Sequence, residues 1–274
     1  MSEGEAAAIA RTGERPVTIA SLARDFAQLG LRWGAVVLVH CSLSRLGWVC
    51  GGAPAVIAAL ERAVGSTGTL VMPSFTGDLS EPSRWRTPPV PESWWPVIRA
   101  ELPAFDPAVT PTYNVGAVAE CFRSLPGVLR SAHPQMSFAA RGPAAARIVA
   151  GHALGDGFGD GSPLARLYDL DAKVLLLGVG HENNTSLHLA EHRAAWPGKR
   201  RREQGSPVLQ GGARTWATFT ETEYDDSDFS AIGEAFAATG QVADGPVGGG
   251  RGRLMYQRAL VDFACDWLPA HRGA

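Results

Sequence analysis

A chain of 274 residues that is 45% hydrophobic and 19% charged can bury a large core. Its formal net charge of −2 argues against nucleic-acid binding, which wants a basic surface. No apolar run approaches the roughly 18 to 20 residues that span a bilayer, so no membrane partner is expected.

Residues 1–16 are polar and lack the basic-then-apolar plan of a secretory signal. They read as a flexible leader before one compact domain over residues 17–270. Thr18 is placed to cap a helix over Ile19–Leu29 that Gly30 closes, with Leu22, Phe26 and Leu29 on one face. Ala35–Val39 is an all-apolar strand of the kind buried on both faces, and it runs into His40-Cys41-Ser42-Leu43-Ser44. A helix over Pro54–Val64 and a second buried strand over Thr69–Met72 follow, the strand leading to Ser74 and Thr76. Asp78–Asp106 is rich in Pro and Trp and reads as a long surface excursion with a short helix at Val97–Glu101. The next helix spans Val115–Leu125. Short strands at Val128–Arg130 and Ser137–Ala140 flank Ala132-His133-Pro134, and Pro143–Ala150 is helical. Ser162 caps a helix over Pro163–Tyr168. Lys173–Leu177 is a third buried strand, ending in a Gly-containing turn and a dense polar block from His181 to His192. Beyond Pro197, antiparallel strands are expected at Pro207–Leu209 and Thr215–Phe219, and helices at Asp228–Ala238 and Leu254–Leu268. The fold class is α/β, a mixed sheet with flanking helices and antiparallel insertions.

Four groups of residues could carry chemistry. Hydroxyls and glycines after the first strand, Ser42, Ser44, Gly47 and Gly51-Gly52, could offer donors to a phosphate, or form no more than a capped turn. His133 is held extended by Pro134 and could project from a strand end, although a lone histidine is more often structural. His188 and Glu191 are three apart on a helix, a spacing at which a carboxylate can orient an imidazole for proton transfer. The rival is a solvated helix face capped by Thr185 or Asn184. A zinc site at His188 and His192 lacks the HExxH pattern and a third ligand, so no metal is expected. The acidic run Glu221, Glu223, Asp225, Asp226, Asp228 is either a solvated loop or a wall that attracts a cation. The four cysteines, Cys41, Cys50, Cys121 and Cys265, show no CxxC spacing and read as reduced thiols of a cytoplasmic protein.

Several segments in order resemble the aminoglycoside 3-N-acetyltransferase family. They are His40–Gly47 with Gly51-Gly52-Ala53, Gly68–Thr76, Ser131–Pro134 with Ser137–Gly142, Gly161–Leu164, and Asn184–Glu191. The likeness runs from about Ile19 to Leu268, with Cys41 where serine is more usual in the family. It implies transfer of an acetyl group from the co-substrate acetyl-CoA to the 3-amino group of a cationic 2-deoxystreptamine aminoglycoside, without a metal and by direct transfer. On this resemblance His133 is expected as general base, supported by His188 and Glu191. Ser42, Leu43, Ser44, Ser74, Thr76 and Ser162 are expected near CoA. Thr185, Asp78, Asp106, Glu221, Glu223 and Asp225 are expected near the antibiotic. The alternatives are acetylation of another amine in natural-product metabolism, and a non-catalytic CoA- or sugar-binding relative. A homodimer is compatible with the resemblance.

Overall fold

The computed structural model describes residues 3–272. In chain order the helices are α1 (Glu3–Thr12), α2 (Ile19–Leu29), α3 (Gly52–Val64), α4 (Trp95–Glu101), α5 (Ala117–Arg123), α6 (Ala145–Val149), α7 (Pro163–Asp169), α8 (Ser186–Arg193), α9 (Phe229–Ala237) and α10 (Gln257–His271). The strands are β1 (Val36–Cys41), β2 (Thr69–Pro73), β3 (Leu129–Arg130), β4 (Phe138–Arg141), β5 (Lys173–Leu177), β6 (Arg201–Gln210), β7 (Ala213–Thr222), β8 (Ala243–Val247) and β9 (Gly250–Tyr256).

A seven-stranded sheet runs in the order β3-β4-β2-β1-β5-β9-β8, with β6 and β7 pairing apart from it as a hairpin. β2, β1 and β5 are parallel, β4 and β9 flank them antiparallel, and the edge strands β3 and β8 pair antiparallel with β4 and β9 and so run with the central three. The central strands are apolar throughout because both faces are covered. Val37, Val39, Leu175 and Leu177 pack on one side with Phe26, Leu60 and Phe122 of α2, α3 and α5. Leu38, Val174 and Leu176 point to the other side, where Leu164, Leu187, Ile232 and Leu260 of α7, α8, α9 and α10 meet them. The mixed sheet with flanking helices is the expected fold class.

Local signals act as their chemistry requires. Thr18 and Ser21 form a reciprocal capping box, and Gly30 closes α2 in the left-handed region at φ 104°. The structure departs from expectation at several places, among them β8, where no strand was expected. Residues 3–12 of the expected flexible leader form α1, with Ala8 buried and Arg11 Nη1 donating to the Ser44 carbonyl at 2.7 Å; residues 1 and 2 lie outside the described residues. Helix α10 begins at Gln257, because Leu254, Met255 and Tyr256 finish β9 against β5. The hairpin strands extend over ten residues each, well past the expected short segments. No helix is long and apolar enough to cross a membrane among the described residues.

Candidate active site

β1 and β5 lie side by side and end together, with Cys41 paired to Leu177. Their carboxyl ends therefore deliver His40-Cys41-Ser42 and the Gly178–Thr185 segment to the same edge, the location where open α/β sheets hold ligands. Two hollows meet there. One is a cavity of about 230 Å³, lined by His40, Cys41, Phe75, Asn114, Glu182, Asn183, Asn184, Thr185, His188, Asp226 and Phe229, among others. The other is a wider groove of about 640 Å³, walled by Ser42, Leu43, Ser44, Trp48, Gly51, Gly52 and Ala117, together with Glu5 and Ala8 of α1. Cys41 borders both. Burial pushes its thiol up to about 12, so it stays protonated and is a poor nucleophile.

Two imidazoles line the cavity, His40 and His188; His188 is the one paired with a carboxylate. Its side chain is 13% exposed, and Nδ1 lies 2.5 Å from Oε2 of the fully buried Glu191. With Glu191 ionised, Nδ1 carries the proton and donates it. No hydrogen bond engages Nε2 among the described residues. Phe158 stacks on the ring at 4.6 Å and 6°, and Tyr224 and Phe229 pack around it at 5.0 and 4.8 Å. An imidazole gripped on one nitrogen by a carboxylate, and open on the other, is arranged for proton transfer.

Thr185 stands at the amino end of α8 without capping it through its side chain. Asn184 Oδ1 meets the Ser186 N–H at 3.3 Å instead, so the Thr185 hydroxyl is free to meet His40 Nε2 at 3.3 Å on the cavity wall. Burial, with the adjacent His188, lowers His40 to about 3 and keeps it neutral. Glu182 and Asp226 add negative charge to the rim.

His133 sits differently. The ring is fully buried; Nδ1 accepts from the Gln135 and Met136 backbone N–H groups at 3.1 and 3.0 Å, and Nε2 faces the Leu154 carbonyl at 3.1 Å. Burial lowers it to about 4, and both nitrogens are occupied by backbone. The general base expected at His133 thus meets a ring that lines neither hollow and has no nitrogen to spare.

The other expected residues divide. Ser42, Leu43 and Ser44 line the groove, and Thr185 lines the cavity. Ser74, Thr76 and Ser162, expected near CoA, border neither. Ser74 is buried, Thr76 donates to the Pro134 carbonyl, and Ser162 caps α7 while donating to the Gly159 carbonyl at 2.6 Å. Of the expected substrate carboxylates, Asp78 is exposed on its loop and Asp106 accepts from the Ala108 N–H at 2.8 Å. Glu223 borders a separate hollow beside Lys199, and Asp225 turns its side chain to the Ser227 N–H. Glu221 is wholly buried, and burial raises it to about 7. Residues 78–106 line neither hollow; Arg99 pairs with Glu81 at 2.6 Å and fastens the excursion to itself. Sequence reasoning flagged His40 and Glu182 within polar blocks and Asn114 as a helix cap but gave none of them a site role, did not single out Asp226 within the acidic run, and missed Phe158. The position of His40 and Glu182 directly after apolar strands was the available signal. Nothing local marks Phe158. No cluster of three or more His, Cys, Asp or Glu arranged for a metal ion occurs among the described residues.

Residues 38–269 match the family described as Aminoglycoside 3-N-acetyltransferase. A Bacillus subtilis protein, the SPbeta prophage-derived aminoglycoside N(3')-acetyltransferase-like protein YokD, is 44% identical over 254 residues, covering 92% of this chain and 93% of that one. Its crystal structure superimposes with a TM-score of 0.94, covering 97% of each chain. Aminoglycoside N(3)-acetyltransferase VII of Streptomyces paromomycinus is 38% identical, covering 97% and 96%. A solved structure described as AAC-IIIb binary with CoASH is 34% identical with a TM-score of 0.85, covering 95% and 99%.

Proposed function

This chain belongs to the aminoglycoside 3-N-acetyltransferase family and is an acyltransferase, and from that premise we propose that it moves an acetyl group from acetyl-CoA to the 3-amino group of a 2-deoxystreptamine aminoglycoside, conferring resistance, with His188 as general base. The observation that carries this reading is the His188–Glu191 pair at 2.5 Å in a cavity that adjoins a second, wider groove at Cys41.

The groove has the character that a CoA thioester needs. It is glycine-lined, Ser42 and Ser44 offer hydroxyls, and α3 begins in it at Gly51 and Gly52 with no side-chain cap on its first N–H groups. An uncapped helix start favours an anion such as a phosphate. CoASH in a relative of the same fold supports the same donor here. The acid-rimmed cavity suits the partner: an aminoglycoside is a polycation, and Glu182 and Asp226 supply the opposite charge.

Chemistry then follows from the protons. An ammonium has no lone pair, so the acceptor attacks as the free amine, its first proton already released to solvent, and its nitrogen must shed a second proton as it is acylated. His188 Nε2 accepts it as the C–N bond forms at the thioester carbonyl, while Glu191 stabilises the resulting imidazolium through Nδ1. The Thr185 hydroxyl is the side-chain donor nearest in character to an oxyanion partner. Collapse of the tetrahedral species breaks the C–S bond, and the thiolate leaves with a proton returned from the site. The amine is the nucleophile, so direct transfer needs neither an acyl-enzyme nor a metal.

His188→Gln should lower turnover by about 100-fold or more while acetyl-CoA still binds by calorimetry. Near-wild-type turnover would remove the base assignment. Thiol release that stays silent across gentamicin-, kanamycin- and neomycin-type acceptors would remove the proposed acceptor.

A further inference from the structure

Glu191 is fully buried, and a buried carboxylate stays ionised only where partners replace its water. Oε2 is committed to His188. Oε1 takes the Asp225 backbone N–H at 3.0 Å and the guanidinium of Arg272, whose Nη1 lies 2.5 Å away. Arg272 is the residue that follows α10, far along the chain from α8. It is itself anchored. Nε and Nη2 grip the two oxygens of Asp228 at 2.7 and 2.5 Å, Nη2 reaches the Asp225 carbonyl, and the Trp196 ring lies beneath at 5.2 Å. Burial opposes the charge on this guanidinium, but the hydrogen bonds to Asp228 and Glu191 outweigh it and raise Arg272 above its ordinary value.

We propose that Arg272 is a positioning residue for the reaction: it fixes the Glu191 carboxylate against His188 Nδ1 and cancels one of the two negative charges behind the imidazole. The assignment rests on His188 as the base. Counting charges gives the reason. Glu191 and Asp228 contribute two negatives and Arg272 one positive, so this bonded group leaves a single net negative charge behind His188. A net negative charge there stabilises an imidazolium in the transition state. The other groups around the pair are His40 on β1, kept neutral by burial, Tyr224, Asp225 and Asp226 on the loop before α9, Lys199 on the segment after α8, and Glu182 on the cavity rim. None of these side chains bonds to Oε1 among the described residues.

Two substitutions move the charge in opposite directions. Arg272→Gln removes a cation, so the acid limb of the kcat/KM profile and the midpoint of the His188 ring titration by NMR should both rise by about one pH unit. Turnover at neutral pH should fall, and Arg272→Lys should recover part of it with the limb near its wild-type position. Asp228→Asn removes an anion, so limb and midpoint should move down, by about half a unit. A guanidinium that merely ties down α10 would lower stability and turnover at every pH and leave the limb and the midpoint in place in both variants, which overturns the proposal. If His188→Gln were active the base reading would fail, yet the His188 ring titration in the Arg272 and Asp228 variants would still decide what Arg272 does to that imidazole.

Discussion

Two histidines of the same intrinsic chemistry reach opposite ends of usefulness through their neighbours. His188 has one nitrogen on a carboxylate and the other free, whereas His133 spends both on backbone groups. The Pro after His133 predicts its extended backbone, but no residue nearby shows that the ring turns inward to hold the 154 segment. The spacing of His188 and Glu191, by contrast, was readable because three residues on a helix bring side chains together. His133→Ala would leave the buried Gln135 N–H and the part-buried Met136 N–H and Leu154 carbonyl without their partner. It should cost about 1 to 3 kcal/mol of stability by denaturant titration, with the pH profile of kcat/KM unmoved. A displaced acid limb in that variant would return His133 to the chemistry.

At the level of elements, α9 shows how a single small residue admits a functional loop. A Cβ on Gly233 would lie 2.0 Å from Cγ of His181, so α9 presses directly on the turn that leads into Glu182 and Thr185. Gly233→Ala should destabilise by about 1 to 3 kcal/mol in thermal melts, because a packed imidazole and a helix backbone both have to shift. A stability equal to wild type would mean the turn yields freely. Periodicity made α2, α3, β1, β2 and β5 legible, since each buries a continuous apolar stripe or run. β8 and β9 were not, because Gly245, Gly248, Gly249, Gly250 and Gly252 break the alternation that marks a strand. Pairing with β5 imposes the strand there, against the local propensity. The site was legible in part for the same reason: the polar blocks after β1 and β5 stand out in the sequence, while their adjacency depends on sheet order, which local pattern does not encode.

Across the molecule, proton binding shapes stability. Burial is the main cause that lowers His40 to about 3 and His133 and His181 to about 4 from 6.5, and it puts His152 well below its ordinary value. Each imidazole is neutral in the fold and protonates near 6.5 when unfolded. Their contribution is therefore complete above pH 6.5 and is lost as pH falls toward 4. Glu221 acts the other way. Raised to about 7 by burial, it favours the fold below pH 4.5 and loses that contribution as pH rises through 7. Four imidazoles outweigh one carboxyl, so the denaturant midpoint should fall between pH 7 and pH 5. A flat midpoint over that interval would contradict the buried neutral histidines.

The location of α1 bears on how the protein can be handled. Glu5 and Ala8 wall the groove proposed for the donor, and Arg272, just after α10, reaches the carboxylate behind His188. Affinity handles, fluorophores or surface linkers attached on α1 or beside Arg272 would thus sit next to working parts of the molecule. The turn Gly211-Gly212, between β6 and β7, is the better attachment point. Both glycines are exposed, and a Cβ at either would meet nothing within 4 Å.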